Sequence, residues 1–316
     1  MKKILFICGS INQTSQMHQI SRHLTDNDCY FTPYYGDGLV KMLTGTGLLD
    51  FTILGGSFKE NTERYLRDHG CGIDDEGRQN DYDLVLTCSD LIVQKNIRNK
   101  KIILVQEGMT DPENMVYHIV KKLGLPRYLA STSTTGLSNV YEKFCVASDG
   151  YRDLFIRKGV RPEKIVVTGI PNFDNARQYL DNDFPYKNFA LVATSDARET
   201  FKFDNRKAFL KKAISIAGER QLICKLHPNE NVTRSTREIK ELAPQALVFP
   251  NGNAHHMVAN CDVLITQYSS LAYTGIALEK EVHSYFDDEM LKKLTPMQNG
   301  GSSAQNIAYV CRDYLQ

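Results

Sequence analysis

The chain has 316 residues, a length that suggests two domains of ordinary size. Hydrophobic residues make up 42% and charged residues 24%, which is typical of a globular protein, and the formal net charge of +1 argues against a nucleic-acid binder that neutralises phosphates along a groove. The eight cysteines form no Cys-x-x-Cys pair, so we expect a reducing cytoplasm and no disulfide framework. No apolar run approaches the ~20 residues of a membrane span, so any membrane contact should be peripheral, at the inner face of the cytoplasmic membrane.

Short apolar runs alternate with polar-apolar segments of helical period along nearly the whole chain. Most runs are continuous in Val, Ile and Leu, which is typical of strands buried on both faces of a parallel sheet. The predicted strands are Lys3–Cys8, Asp50–Leu54, Leu84–Cys88, Lys101–Gln106, Lys143–Ala147, Lys164–Thr168, Phe189–Ala193, Gln221–Leu226, Ala246–Phe249, Cys261–Thr266 and Glu281–Tyr285. The predicted helices between them include Gln13–Leu24, Pro112–Leu123 and Asp204–Ala217. The pattern indicates the α/β class.

A polar segment with a proline, residues 181–187, precedes a fresh strand and is predicted to be a linker. We therefore expect two Rossmann-like domains, 1–180 and 187–300, that face each other across a cleft. Residues 301–316 are predicted to form a terminal helix, capped by Ser302 or Ser303, that packs back toward the first domain.

Polar residues directly after buried strands are the candidates for function, because open parallel sheets bind ligands beyond the carboxyl ends of their strands. Five such places occur, and they contain Ser10 to Gln13, Glu107, Ser195-Asp196, His227-Pro228 and Thr266 to Ser270.

Two of these strand ends suggest a phosphate site. Pro228 disfavours a helical conformation at His227, so the imidazole is held at a strand tip, where it can donate to a phosphate or transfer a proton. A histidine that merely caps a strand is the alternative. Ser269 and Ser270 precede a predicted helix, and hydroxyls with free amides at a helix start favour an anion. A plain N-cap would explain one of these serines.

The segments "KLHP", "DVLITQYSS" and "KEVHSYFD" together resemble the carboxyl-terminal half of a group of GT-B glycosyltransferases. The group includes bacterial sialyltransferases, polysialyltransferases, capsule Kdo transferases and teichoic-acid glycerophosphate polymerases. The stretch from Phe144 to Asp174 is also similar to the interdomain segment of this group and of UDP-N-acetylglucosamine 2-epimerases. The resemblance implies the GT-B fold and assigns the donor phosphate to His227, Pro228, Thr266, Ser269 and Ser270.

The resemblance also ranks the donors. The polymerases that move glycerol phosphate usually carry Asp where this chain has Gln267, which favours CMP-sugars over CDP-glycerol.

The inverting sialyltransferases carry a short acidic motif that Asp75-Glu76-Gly77 matches loosely, and as a candidate catalytic carboxylate we rank this motif below Glu107. By similarity to retaining capsule or lipopolysaccharide β-Kdo transferases, Asp196 is expected to be the nucleophile or ion stabiliser and Glu107 the acid/base.

Four further side chains are predicted to contact the sugars together with Ser10. Asn12 and Gln13 are expected to meet the acceptor sugar or the donor's carboxylate, and Arg198 and Lys202 could neutralise an acidic sugar or the phosphate. Basic residues on a helix are more commonly exposed to solvent than bound to a ligand. His255 and His256 are adjacent, which is poor spacing for a metal site, so no metal or other cofactor is expected.

The favoured interpretation is a glycosyltransferase that moves an acidic sugar, with Kdo as first choice, from a CMP-sugar to a glycan or glycolipid acceptor of the bacterial surface. A CDP-polyol phosphotransferase and a UDP-sugar 2-epimerase are the alternative enzymes. The alternative that is not an enzyme is a scaffold that binds a nucleotide without catalysis.

Overall fold

The computed structural model describes residues 1–50, 52–199 and 203–316. The chain divides into two compact units. Unit 1 comprises Met1–Asn175 and Pro296–Gln316, and unit 2 comprises Ala176–Thr295. The segment 181–187, predicted as a linker, therefore lies inside unit 2.

Unit 1 is built on a parallel sheet that has seven strands among the described residues, in the order β3-β2-β1-β4-β5-β6-β7. Its elements up to residue 175 are β1 (Lys3–Cys8), α1 (Ile11–Ser21), β2 (Asp28–Pro33), α2 (Gly38–Gly45), α3 (Gly56–Asp68), β3 (Gly72–Ile73), β4 (Leu84–Thr87), β5 (Lys101–Val105), α4 (Met115–Leu123), β6 (Lys143–Val146), α5 (Asp149–Lys158) and β7 (Ile165–Val167). The strand order reverses direction at β1 and β4, so the switch point of this sheet lies between them.

Unit 2 is built on a second parallel sheet, with the order β10-β9-β8-β11-β12 in the part of the chain that the structure describes. Its elements are β8 (Ala190–Ala193), α6 (Arg206–Ala217), β9 (Leu222–Lys225), α7 (Val232–Leu242), β10 (Leu247–Phe249), α8 (Ala254–Asn260), β11 (Val263–Thr266), α9 (Leu271–Ala277), β12 (Glu281–His283) and α10 (Asp288–Leu294). Its switch point lies between β8 and β11, whose residues are all buried because helices cover both faces. The predicted α/β class is confirmed.

The last helix, α11 (Ser303–Leu315), belongs to unit 1. Its Ile307 and Cys311 are fully buried in the same apolar cluster as Met17 and Ile20 of α1. Ser302 occupies the N-cap position without a side-chain cap, and the Asp174 carboxylate instead accepts the Ser303 N–H at 2.8 Å.

One predicted strand is wrong. Residues 52–54, in the predicted strand Asp50–Leu54, lie in turns before α3, and Phe51 lies outside the described residues. The second strand in the chain is instead β2, Asp28–Pro33, which is followed in the sheet by the two-residue edge strand β3. A four-residue apolar run does not by itself distinguish a strand from a buried turn, and Leu54 is buried in such a turn.

No helix in the described ranges is both long enough and apolar enough to cross a bilayer.

Candidate functional site

A carboxylate cluster lies at the carboxyl ends of β1 and β5 in unit 1. The Glu107 carboxylate accepts hydrogen bonds from Ser10 Oγ at 2.8 Å and from Gln13 Nε2 at 2.6 Å. Ser10 follows β1 and Glu107 follows β5, so parallel strands bring together residues that are 97 positions apart in the chain. The structure thus groups three of the predicted site residues into one cluster, which we call the Glu107 cluster: Ser10, Gln13 and Glu107.

The start of α1 holds this cluster in place. Ser10 is the N-cap of α1, and its Oγ accepts the Gln13 N–H at 3.2 Å. Gln13 Oε1 in turn accepts the Gly9 N–H at 3.0 Å. A Cβ at position 9 would lie only 2.4 Å from Gln13 Oε1, so a glycine is needed for this close approach. The Gln13 amide is therefore oriented with its NH2 toward Glu107.

The surroundings of Glu107 favour its protonated form. Desolvation by the surrounding protein raises the pKa of the Glu107 carboxyl, and the hydrogen bonds from Gln13 and Ser10 offset part of that increase. A carboxyl with a raised pKa, fixed by two donors at a strand end, suits proton transfer near neutral pH.

Two buried glutamines support the loop that carries Glu107, and sequence reasoning missed both. Gln106 accepts the Ala147 N–H at 2.9 Å and donates to the Gly108 carbonyl at 2.8 Å. Gln16 of α1 donates to the Gln106 carbonyl at 2.9 Å. Gln106 ends the apolar run Lys101–Gln106, whereas Gln16 lies among polar residues of α1, so no local pattern distinguishes it.

Asn12, by contrast, is exposed. Its carbonyl accepts a hydrogen bond from Asn172 Nδ2 at 2.8 Å, and its side chain takes no part in the hydrogen bonds of the Glu107 cluster.

In unit 2, His227 and Asp196 meet at the carboxyl ends of β9 and β8. His227 Nδ1 lies 3.5 Å from Asp196 Oδ2 and 3.3 Å from the backbone nitrogen of Asn229. Asn229 Nδ2 also donates to Asp196 Oδ2 at 2.9 Å. When Nδ1 accepts the Asn229 N–H, the neutral ring carries its proton on Nε2, which is then a donor for an anion. Pro228 is exposed and begins the turn after His227.

A buried charged network lies beneath this strand end, and sequence reasoning missed it. Glu230 is 5% exposed, accepts the His227 N–H at 2.8 Å, and forms an ion pair with Arg206 Nη1 at 2.9 Å. Arg206, also 5% exposed, reaches Asp204 Oδ2 at 3.0 Å and donates to the Ser195 carbonyl at 2.7 Å. The network therefore fixes the backbone at His227 and at the residue before Asp196.

Gln267 extends the same network to the end of β11. Its Oε1 accepts from Ser195 Oγ at 2.8 Å, and its Nε2 donates to Asp204 Oδ1 at 2.9 Å. The Gln267 side chain is 6% exposed, so its amide oxygen and its amide NH2 group each need a hydrogen-bond partner within the protein. An aspartate at 267 would lack the donor and would stand next to Asp204.

The residues after β11 differ in what they can bind. Thr266 is 2% exposed and its hydroxyl donates to the Ala193 carbonyl at 3.0 Å, so this proton is used within the sheet, and the contact of Thr266 with phosphate stays a prediction. Ser269 and Ser270 are half-buried at the start of α9. The Ser270 side chain makes no cap hydrogen bond, whereas Ser269 Oγ accepts the Leu271 N–H at 3.3 Å. Ser269 therefore has a local capping role, and the Ser270 hydroxyl is not used as a cap.

Arg198, one of the two predicted cations of the site, is paired with carboxylates. Arg198 Nη1 donates to Glu238 at 2.8 Å, and Nε lies 3.7 Å from Asp204. These carboxylates compensate its charge within the protein, and its contact with an acidic sugar or the phosphate stays a prediction. Lys202, the other predicted cation, lies outside the described residues.

Glu76 and His255, two further candidates, have partners within the protein. Glu76 forms ion pairs with Lys41 at 2.6 Å and with Arg78 at 2.7 Å. The His255 ring stacks on Tyr179 with centroids 4.5 Å apart. In the ranges that the structure covers, no group of three or more His, Cys, Asp or Glu side chains could hold a metal ion.

Comparisons with family models and with curated protein sequences gave no match. Solved structures do match. MnaA of S. aureus in complex with UDP has a TM-score of 0.58 and 13% identity, covering 100% of this chain and 97% of its own. The UDP-GlcNAc 2-epimerase of Neisseria meningitidis bound to UDP-GlcNAc has a TM-score of 0.57 and 11% identity, covering 98% of this chain and 100% of its own. A variant of the wall teichoic acid polymerase TagF soaked with CDPG has a TM-score of 0.53 and 12% identity, covering 99% and 89%. These similarities establish an α/β fold of the GT-B type.

Proposed function

We propose that this chain is a glycosyltransferase that moves an acidic sugar, Kdo first, from a CMP-sugar to a glycan or glycolipid acceptor of the bacterial surface. One observation carries the proposal: a carboxylate lies beside polar donors at the carboxyl end of each sheet, near its switch point. These are Glu107 with Ser10 and Gln13 in unit 1, and Asp196 with His227 in unit 2. Ligands of open parallel sheets bind at such ends.

Unit 2 takes the donor in this proposal. His227 Nε2 donates to the leaving phosphate, together with the hydroxyl of Ser270 and the backbone around Ser269 and Pro228. The half-buried Asp196 stabilises positive charge that develops at the anomeric carbon, or attacks that carbon as a nucleophile.

Unit 1 takes the acceptor. The Glu107 carboxylate accepts the proton of the attacking acceptor hydroxyl and afterwards releases it to solvent; its raised pKa makes it a stronger base. Ser10 and Gln13 position this carboxyl, and the exposed Asn12 is available to a sugar hydroxyl. Two carboxylates with separate roles are what retention of configuration requires, as in retaining glycosidases.

Two other enzyme activities have a specific observation in their favour. The fold likeness to TagF soaked with CDPG favours transfer of a CDP-activated polyol, although Gln267 replaces the aspartate expected from the resemblance. The likeness to the UDP-GlcNAc 2-epimerase of Neisseria meningitidis favours epimerisation of a UDP-sugar.

A thermal-shift titration of the full chain with CMP, CDP and UDP separates the donors. We expect CMP to raise the melting temperature, whereas stabilisation by UDP alone would favour the epimerase and stabilisation by CDP alone the polyol transferase. Release of CMP from CMP-Kdo, followed in the presence of a Kdo-accepting glycolipid, then tests transfer. Binding of CMP with no turnover of CMP-Kdo, CDP-glycerol or UDP-GlcNAc would indicate a scaffold.

A further inference from the structure

One buried carboxylate links the ends of two neighbouring strands in unit 2. Glu230 Oε2 accepts the N–H of His227, which lies two residues beyond the end of β9, at 2.8 Å. The same oxygen accepts a hydrogen bond from the hydroxyl of Thr194, the residue that directly follows β8. Because β8 and β9 are neighbours in the sheet, Glu230 connects the carboxyl end of one strand to that of the other.

The two side chains proposed to act on the donor extend from these strand ends. Asp196 lies two positions after Thr194, and its Oδ2 is 3.5 Å from His227 Nδ1. Both residues lie beyond the last residues of β8 and β9, so strand pairing alone does not fix the distance between them. The Glu230 carboxylate is placed to fix it, since it bonds to the chain at both ends.

Glu230 is itself held firmly. Its side chain is fully buried, and its Oε1 lies 2.9 Å from Arg206 Nη1. Arg206 also donates to the carbonyl of Ser195, the residue before Asp196, at 2.7 Å. A buried carboxylate with an ion-pair partner and several donors keeps its position, because movement would leave those partners unsatisfied.

We propose, on the basis of the proposed function, that Glu230 is a positioning residue that sets the distance between Asp196 and His227 for reaction with the donor. Its buried side chain acts through these two residues rather than on the substrate. A misplacement of about 1 Å between reacting groups can lower a rate by about 100-fold. A link between the two strand ends is therefore expected to affect turnover more than nucleotide binding.

Thr194→Val tests the link without disturbing the buried charges. A direct replacement of Glu230 would remove a counter-charge of Arg206 and would destabilise the fold as a whole. Thr194→Val deletes the hydroxyl alone, and the N–H of residue 194 keeps its bond to the Lys225 carbonyl at 3.1 Å.

The matched control is Ser235→Ala. Ser235 lies on α7, and its hydroxyl donates to the other carboxylate oxygen, Glu230 Oε1, at 3.1 Å. Both variants therefore delete one hydrogen bond to the same buried carboxylate, but only Thr194→Val deletes one that comes from a strand end. Their melting temperatures, measured by circular dichroism, should fall by similar amounts.

The kinetics of the two variants should differ. Thr194→Val should keep CMP affinity within about twofold, because Glu230 still binds the His227 N–H, yet lose at least about tenfold in the rate of CMP release from CMP-Kdo. Ser235→Ala should keep both quantities within about twofold of wild type. Thr194→Ser retains the hydroxyl and should restore the rate.

Nuclear magnetic resonance tests the positioning without turnover. The Cε1–H resonance of the His227 ring, assigned by its absence in His227→Ala, depends on the Asp196 carboxylate 3.5 Å from Nδ1. This resonance should shift in Thr194→Val and stay in place in Ser235→Ala.

Two results would overturn the proposal. One is a folded Thr194→Val that transfers as fast as Ser235→Ala, and the other is a His227 resonance that is unmoved in Thr194→Val or moves equally in both variants. A wild type that neither binds CMP nor releases it from CMP-Kdo would refute the proposed function instead. In that case the His227 resonance still decides whether the link from Thr194 positions the pair.

Discussion

Replacing His227 by alanine tests the donor site directly. The ring is half-buried, with 39% of its side chain exposed, and its Nδ1 is occupied by Asn229 and Asp196, so a ligand has access only through the remaining ring edge. One hydrogen bond from Nε2 to a charged phosphate contributes about 1.5–3 kcal/mol. Its loss should weaken CMP binding by roughly 10- to 150-fold, because each 1.4 kcal/mol is a factor of ten.

The measurement is calorimetric CMP affinity at neutral pH. His283→Ala is the matched control, because His283 belongs to the same unit, is 38% exposed at its side chain, and pairs with Glu281 at 2.8 Å. His227→Ala should keep its fold, since Glu230 binds the backbone N–H of residue 227 rather than its ring. Unchanged CMP affinity of folded His227→Ala would refute the assignment of the donor phosphate to this strand end.

Four further variants test the rest of the site. Asp196→Asn should keep CMP affinity within about twofold yet lose at least about 100-fold in transfer rate, measured by CMP release, because its role is confined to the transition state. Glu107→Gln should abolish transfer and gain stability relative to wild type as pH rises above 4.5, since a raised pKa makes ionisation costly in the folded state; urea titrations at several pH values measure this. Gln267→Asp should lower the unfolding free energy by about 1–3 kcal/mol in urea, because Asp204 loses a donor. The wild type should lose stability as the pH falls from 6.5 to about 4, because burial keeps its His255 ring neutral while the unfolded chain binds a proton there. His255→Phe should remove this loss, which thermal melting at several pH values measures.

Each of these predictions has an outcome that would contradict it. Near-normal turnover of Asp196→Asn would make that carboxylate structural, and a wild-type pH–stability profile in Glu107→Gln would mean that Glu107 ionises normally. A stable Gln267→Asp would remove the objection to a CDP-polyol donor that rests on this position. Acid sensitivity that persists in His255→Phe would have to arise at another group.

The sequence predicted the central strands well and the edge of the first sheet poorly. Strands β1, β8 and β11 are continuous apolar runs because both faces of each sheet are covered, so their pattern depends little on partners. Strand β2 mixes polar, aromatic and proline residues, and only its last three positions are buried. Its identity depends on pairing with β1, which no local pattern reveals.

The sequence predicts which candidate residues stand at the ends of parallel strands. It does not predict which charged residues are buried beneath them. The structure brings the predicted residues Glu107 and Ser10 together because the ends of parallel strands converge at one edge of a sheet. Arg206 and Glu230 were missed because a charged residue near a helix start is usually solvated. Only the folded chain shows that these two charges are buried as a pair, 2.9 Å apart.

The return of the chain to unit 1 after residue 295 has a consequence for biosynthesis. Unit 2 is one continuous segment, so it can fold as soon as it has left the ribosome. Unit 1 leaves Met17 and Ile20 without their partners Ile307 and Cys311 until α11 is made, roughly 7 to 28 s after residue 175 at ordinary elongation rates. During that interval an apolar groove of the first domain stays open to chaperones. A ribosome that stops early therefore releases a protein with one finished domain and one that cannot close its core, which quality-control proteases can recognise.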